Sequence, residues 1–308
     1  MLELGIGGYT RQQVKDVLHG RSGSRGTVKF RYDLLNKEEI KIGELTAQTG
    51  IVRMNSLGEI KRTATFQIIE NEAQDIDWLS DRIQPVFCLQ MPDGNWIEWP
   101  LGVFIPSSPK RRSDGGRIVR DVEAYDTSLI LKEDVFTDRY FIPAGTKYVD
   151  TIMDILNDAG IWKVNILDHP GTLSRDKEFE IGTAKLTVVN ELLSAINYTS
   201  IWVDEHGYFT SRPYVLPSDR EAEYEYRTND ISIILPGGTE ELDLFSVPNK
   251  WVRYVSNPDT GTVLRSEYTN DLSTSPTSTV RRGRTIVNIE PVEDIADQET
   301  LDAYVRRI

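Results

Sequence analysis

LTVVNELLSAINYTSIWVDEHGYFTSRPY, residues 186–214, joins an apolar-periodic helix to a tight hairpin whose turn carries Asp204, Glu205 and His206. Thr187 is placed to cap a helix running to Ile196, and Gly207 permits the turn through a positive φ. On the strand leading in, Ile201 and Val203 face one way and Trp202 and Asp204 the other. Two acids and an imidazole suggest catalysis. However, consecutive turn residues send their side chains apart, so the reading is a solvated turn.

Upstream, AGTKYVDTIMDILNDAGI predicts a helix over 147–159, with Val149, Ile152, Met153, Ile155 and Leu156 on one stripe and Gly160 as its stop. Helix, loop, helix and hairpin define a small α+β domain at 136–216. Before it, 26–135 reads almost entirely as strand: VKFRYDLL, EIKIGELTAQTGIVRM, TATFQIIE, PVFCLQM, WIEWPLGVFI and RIVRDVEAYD. NKEE, NSLGE, MPDGN and SDGG supply turn residues between them. Six strands at this spacing predict a small antiparallel barrel or sandwich. Residues 1–25 open with a short helical pattern (Val14, Val17, Leu18), run into the loop GRSGSRG and read as an arm. Strand patterns return over 217–308 in EYEYRT, ISIILPG, NKWVRYVSN, VLRSEYTN and RTIVNIEPV, with PDTG as a turn. The last helix sets Leu301, Tyr304, Val305 and Ile308 on one face, which predicts that the chain continues or docks on a partner.

The two β-rich regions echo each other: Arg31-Tyr32 and Arg62-Thr63 recur as Arg253-Tyr254 and Arg284-Thr285 at one offset.

The chain's 308 residues, 39% hydrophobic and 27% charged, suffice for two or three domains of about 100–150 residues. No run approaches the roughly 18 apolar residues of a membrane helix, and MLELGIGGYTRQQ lacks the pattern of a secretory signal. Cys88 is the sole cysteine, in an apolar setting, so no internal disulfide forms and folding in a cytoplasm is expected. A net charge of −13 argues against sequence-specific nucleic-acid binding, which needs a basic face.

His19, His169 and His206 have no partners at metal-ligand spacing, and phosphate-loop, serine-elbow and zinc-protease motifs are absent. No cofactor or catalytic residue is expected. The carboxylates with the best spacing for acid and base work, Asp75 with Asp77 and Glu70 with Glu72, lie in polar stretches that would not raise a pKa. Trp96 and Trp99 alternate with polar residues, as on a half-buried strand. Two basic stretches stand out against the acidic background: Lys110, Arg111 and Arg112, with Arg117 and Arg120, and then Arg281, Arg282 and Arg284. Either they are solvated hairpin rims or they meet acidic edges of neighbouring subunits.

The order of parts resembles the baseplate hub and tail-tip proteins of tailed bacteriophages and related injection machines. IKRTATFQIIENE, WIEWPLGVFIPSSP, AGTKYVDTIMDILNDAGI and the opening stretch carry the resemblance. It implies a mostly β, α+β fold: two small antiparallel tail-tube-like β-barrels with a small α+β insertion of two helices and a hairpin. It implies a non-enzymatic virion protein assembled in the host cytoplasm, a homotrimer adapting a sixfold tube to a threefold tip around a channel. Tail tube or distal tail protein, tape measure protein and a spike or fibre would be its partners. An acidic channel wall is expected, with Lys110, Arg111, Arg112, Arg281, Arg282 and Arg284 toward subunits or tube. Relatives continue past the final helix into further strands, so the second barrel's completeness stays open. A cell-wall hydrolase or carbohydrate-binding tail protein using Asp75, Asp77 or Asp204 is the alternative.

Overall fold

Alternating apolar and polar residues over Arg62–Ile69 give a strand whose burial alternates residue by residue, the signature of a sheet with one face on a core. It belongs to a computed structural model that describes residues 3–21, 26–70, 75–222, 225–228, 234–235, 237–239, 241, 243–256 and 263–308. Part of the predicted arm loop, Glu72, the PDTG turn and parts of EYEYRT and ISIILPG lie outside the described residues. Residues 225–228, where a strand was expected, form none.

The chain folds into two compact units: Met1–Val135 with Ala159–Asn165 and Trp202–Thr210, and Phe136–Asp158 with Ile166–Ile201 and Ser211–Ile308. The middle segment, read from sequence as one domain, is thus shared between them.

The first unit holds α1 (Arg11–Leu18) and seven strands: β1 (Val28–Leu35), β2 (Lys41–Met54), β3 (Arg62–Ile69), β4 (Arg82–Gln90), β5 (Trp96–Pro100), β6 (Phe104–Asp114) and β7 (Arg117–Asp126). Their order is β1-β2-β3-β7-β6-β4-β5, and β1 also pairs with β4 along its whole length, Val28↔Leu89 to Leu35↔Arg82. The antiparallel pairings therefore run in a closed circuit. WIEWPLGVFI, expected as one strand, bends between β5 and β6. Its first part pairs with β4 and its second with β7, the two parts meeting where Ile83 faces Phe104. Gly102 makes the bend at φ +135, and a Cβ there would lie 2.9 Å from the Phe104 ring.

Inside the circuit, Leu34, Leu45, Ala64, Phe66, Ile68, Ile83, Phe104, Val122 and Ala124 form one buried cluster. Phe66 sits at its centre, edge-on to Tyr32 and to Phe104. A second cluster lies where α1 packs Val14 and Val17 on Leu89, Met91, Ile97 and Trp99. A capping box of Thr10 and Gln13 starts this helix. The predicted arm is thus partly docked: of the three apolar side chains in its eight helical residues, Val14 and Val17 are buried and Leu18 is exposed, too few to signal docking by period alone.

After α2 (Leu129–Glu133), the chain builds β8 (Tyr140–Ile142), α3 (Tyr148–Asp158), β9 (Val164–Ile166), β10 (Lys177–Phe179), α4 (Lys185–Ala195), β11 (Trp202–Val203) and β12 (Phe209–Ser211). Helix α4 begins two residues before the expected Thr187 cap. Ala184 is the N-cap without a side-chain bond, and the buried Lys185 donates to Asp158 at 2.6 Å. That long-range pair, and not a local cap, fixes the helix start.

In the second unit, β13 (Lys250–Ser256) pairs antiparallel with β14 (Val263–Thr269) and parallel with β15 (Val287–Pro291), with α5 (Thr279–Arg282) between them in sequence. Helix α6 (Gln298–Arg307) buries Leu301 and Val305 with Ile295 against Trp251, Val255 and Leu264. The apolar face expected to seek a partner is covered by the chain's own sheet, though Ile308 stays exposed. Among the described residues this sheet has three strands and does not close. The sequence echo also parts here: β3, led by Arg62-Thr63, pairs antiparallel with β2, whereas β15, preceded by Arg284-Thr285, pairs parallel with β13. The fold is mostly β.

Candidate functional site

The turn between β11 and β12 belongs to the first unit, and its three polar residues have separate duties. Asp204 accepts from the backbone N–H of His206 and of Tyr208, each at 2.9 Å, which closes the turn. Glu205 faces Arg62 at 3.3 Å. The His206 imidazole is exposed, and its carbonyl accepts from Lys163 at 3.1 Å. Gly207, at φ +87, is buried beneath Glu39, whose carboxylate would lie 2.8 Å from a Cβ there.

Two ion pairs hold this turn within the unit. Lys163 pairs with Glu39, both largely buried. Arg62, 5% exposed, spends Nη1 on the Leu101 carbonyl and Nη2 on Glu205, while its backbone N–H donates to the buried Asp126. Burial pushes the Asp126 carboxyl up, against the bonds it accepts from Ser128 and Arg62. The expectation of a solvated turn is corrected in part. The side chains do diverge, but Glu205 and Gly207 are docked. Their partners lie far away in sequence, Arg62 by 143 residues, so no local signal announces them.

Most other candidate catalytic groups are engaged in local structure. Asp77 accepts from the Ser80 hydroxyl and from the Leu79 N–H, which hold its carboxyl below the usual range, the wrong direction for a general acid. Asp75 is exposed. Trp99 is buried and donates to the Glu3 carbonyl, whereas Trp96 lies under Lys29, so the two do not make a platform. His169 accepts the Gly171 N–H. Cys88 is fully buried, and burial pushes its thiol up. Among the described residues no cluster of three or more His, Cys, Asp or Glu side chains is placed to hold a metal, and no helix is long and apolar enough to cross a membrane.

The two basic stretches are partly spent within the chain. Arg111 and Arg120 share Glu70 at 3.0 and 2.9 Å, holding its carboxyl below the usual range, and Arg112 meets Asp121 at 2.9 Å. In the second unit Arg282 donates to the Leu244 and Val247 carbonyls, and Arg284 to the Phe245 carbonyl while lying over its ring. Arg281, on α5, is exposed, as are Lys110 and Arg117.

No protein-family profile matches this sequence, and neither does any curated protein sequence. Solved structures do match. The tail protein from Neisseria meningitidis MC58 superposes with a TM-score of 0.56 at 11% identity, over 88% of this chain and 73% of that one. A 43 kDa tail protein of prophage MuSo2 from Shewanella oneidensis gives 0.53 at 12% identity, over 90% and 76%. A prophage tail protein from Listeria monocytogenes EGD-e gives 0.52 at 14%, again over 90% and 76%. At such identities the likeness is one of fold: the chain has the fold of these phage tail proteins, nearly from end to end, as the sequence resemblance led one to expect.

Proposed function

We propose that the chain is a non-enzymatic structural subunit of a phage-type tail, at the baseplate hub or tail tip. The observation that carries this reading is the fold likeness to three tail proteins over about nine-tenths of the chain. Three subunits form a ring that adapts a sixfold tube to a threefold tip around the channel for DNA and tape measure protein, with tail tube or distal tail protein on one side and a spike or fibre on the other. The closed strand circuit is one tube-like barrel of each subunit, and the three-stranded sheet is part of the second. The net charge of −13 suits a channel wall that repels phosphate. The exposed cations Lys110, Arg117 and Arg281, with the partly engaged Arg111, Arg112, Arg282 and Arg284, face neighbouring subunits or the tube.

Sedimentation and negative-stain imaging of the purified chain test this. A threefold ring with a central channel is expected, and Arg281→Glu is expected to weaken it. A monomer that cleaves peptidoglycan overturns the reading in favour of a cell-wall hydrolase.

A further inference from the structure

Within the first unit, a cavity of about 50 Å³ lies beside the docked turn, lined by Lys37, Glu39, Arg82, Thr127 and Lys163 with the Phe209 ring. That volume has room for a water or a small ion. The lining offers three cations and one carboxylate. Glu39 is taken by Lys163, and Lys37 lies 3.8 Å from Glu38. Arg82 makes no ion pair within 4.0 Å among the described residues, and its Nη1 donates to the Ser80 and Asp81 carbonyls. Thr127 is 2% exposed, and its hydroxyl has no hydrogen-bond partner in the described structure.

The neighbouring carboxylates are committed elsewhere. Asp81 accepts the Asp77 N–H, and Asp126 accepts from the Arg62 and Ser128 backbones and from the Ser128 hydroxyl. A half-buried guanidinium that has Glu39 and Asp81 nearby but neither within ion-pair distance, and a buried hydroxyl without an acceptor, thus border one small space. Each is costly alone, and one anion answers both. Burial also draws the Arg82 guanidinium below its ordinary value, and the Glu39 and Asp81 carboxylates offset this only in part.

We propose that this cavity is a binding site for a single small monovalent anion of halide size, held by Arg82 and the Thr127 hydroxyl. The ion ties residues 160–163 and the 204–207 turn to the strand circuit of the same unit.

The sign of its salt dependence sets this site apart from ordinary screening. Added salt weakens the Lys163–Glu39 and Arg62–Glu205 pairs whatever the anion, whereas an occupied site stabilises the fold in halide alone. The full chain and Thr127→Val, which removes an unpartnered hydroxyl and keeps the shape, are melted in sodium bromide and in sodium gluconate at matched ionic strength. The wild type is expected to melt about 2–4 °C higher in bromide at a tenfold excess over the dissociation constant, and the variant equally in both salts. Crystals grown in bromide are expected to show an anomalous peak between Arg82 and Thr127 that the variant loses. Water without anomalous signal at that position, or a bromide effect that Thr127→Val leaves intact, overturns the proposal.

Discussion

The sheet of the first unit and that of the second share a four-residue echo and solve the edge problem differently. In the first, each strand of the circuit finds a partner on both sides, and the core lies inside. In the second, among the described residues, β13 has partners on both sides while β14 and β15 have one each, and α6 covers one face. The buried arginines follow suit. Arg62 closes on Glu205 and a carbonyl in the circuit, while Arg253 donates to the Val252 and Asn288 carbonyls and pairs with Glu290, itself well exposed. A closed circuit satisfies its own backbone, whereas an open sheet advertises edges that a neighbour can complete. Exposed Val287 and Ile289 on β15 fit that contrast.

The contrast can be broken most forcefully at the circuit's centre. Phe66→Ala is expected to cost about 3–5 kcal/mol, read as a fall in the urea midpoint, with loss of hydrogen-exchange protection in β3 and β7. If β13 and β14 lose protection together with them, the two sheets do not stand independently. Leu301→Ala removes the plug of the open sheet and is expected to cost about 2–4 kcal/mol. Here exchange should quicken in β13 and β14 while β3 and β7 stay protected. Glu205→Gln leaves Arg62 without its counter-charge. A loss of about 1–3 kcal/mol is expected, with faster exchange at Gly207 and Tyr208, and an unchanged midpoint would show that the turn is held by packing.

The smallest effect is on acidity. Arg31 donates to Glu98 at 2.5 Å and holds its carboxyl below the usual value. For Asp33, burial pushes upward and the bonds from Arg31 and Lys41 more than reverse it. A carboxyl whose folded value lies below its unfolded one, about 4, stabilises fully above that pH and loses the contribution as pH falls through the folded value. The urea midpoint should therefore drop on acidification below about pH 4, and Glu98→Gln should make that drop shallower.

Much of the strand layout was legible. β1 and β7 begin and end where VKFRYDLL and RIVRDVEAYD do, because alternation and turn glycines are local signals. The bend at Gly102 was not, since alternation runs through WIEWPLGVFI without a break and the change of partner depends on which strand lies alongside. The start of α4 was misplaced because Lys185 is drawn to Asp158, and the docking of the 204–207 turn was hidden because Arg62, Glu39 and Lys163 sit in other segments. That the side chains of the turn diverge was readable from consecutive residues alone. What holds the turn was not.

The chain passes from one unit to the other after Val135, Asp158, Asn165, Ile201 and Thr210. A single proteolytic nick, or one severed linker, therefore leaves the two halves covalently joined. Tension applied between the two units would be shared among several connections of the chain, as in a laced seam and not a single stitch.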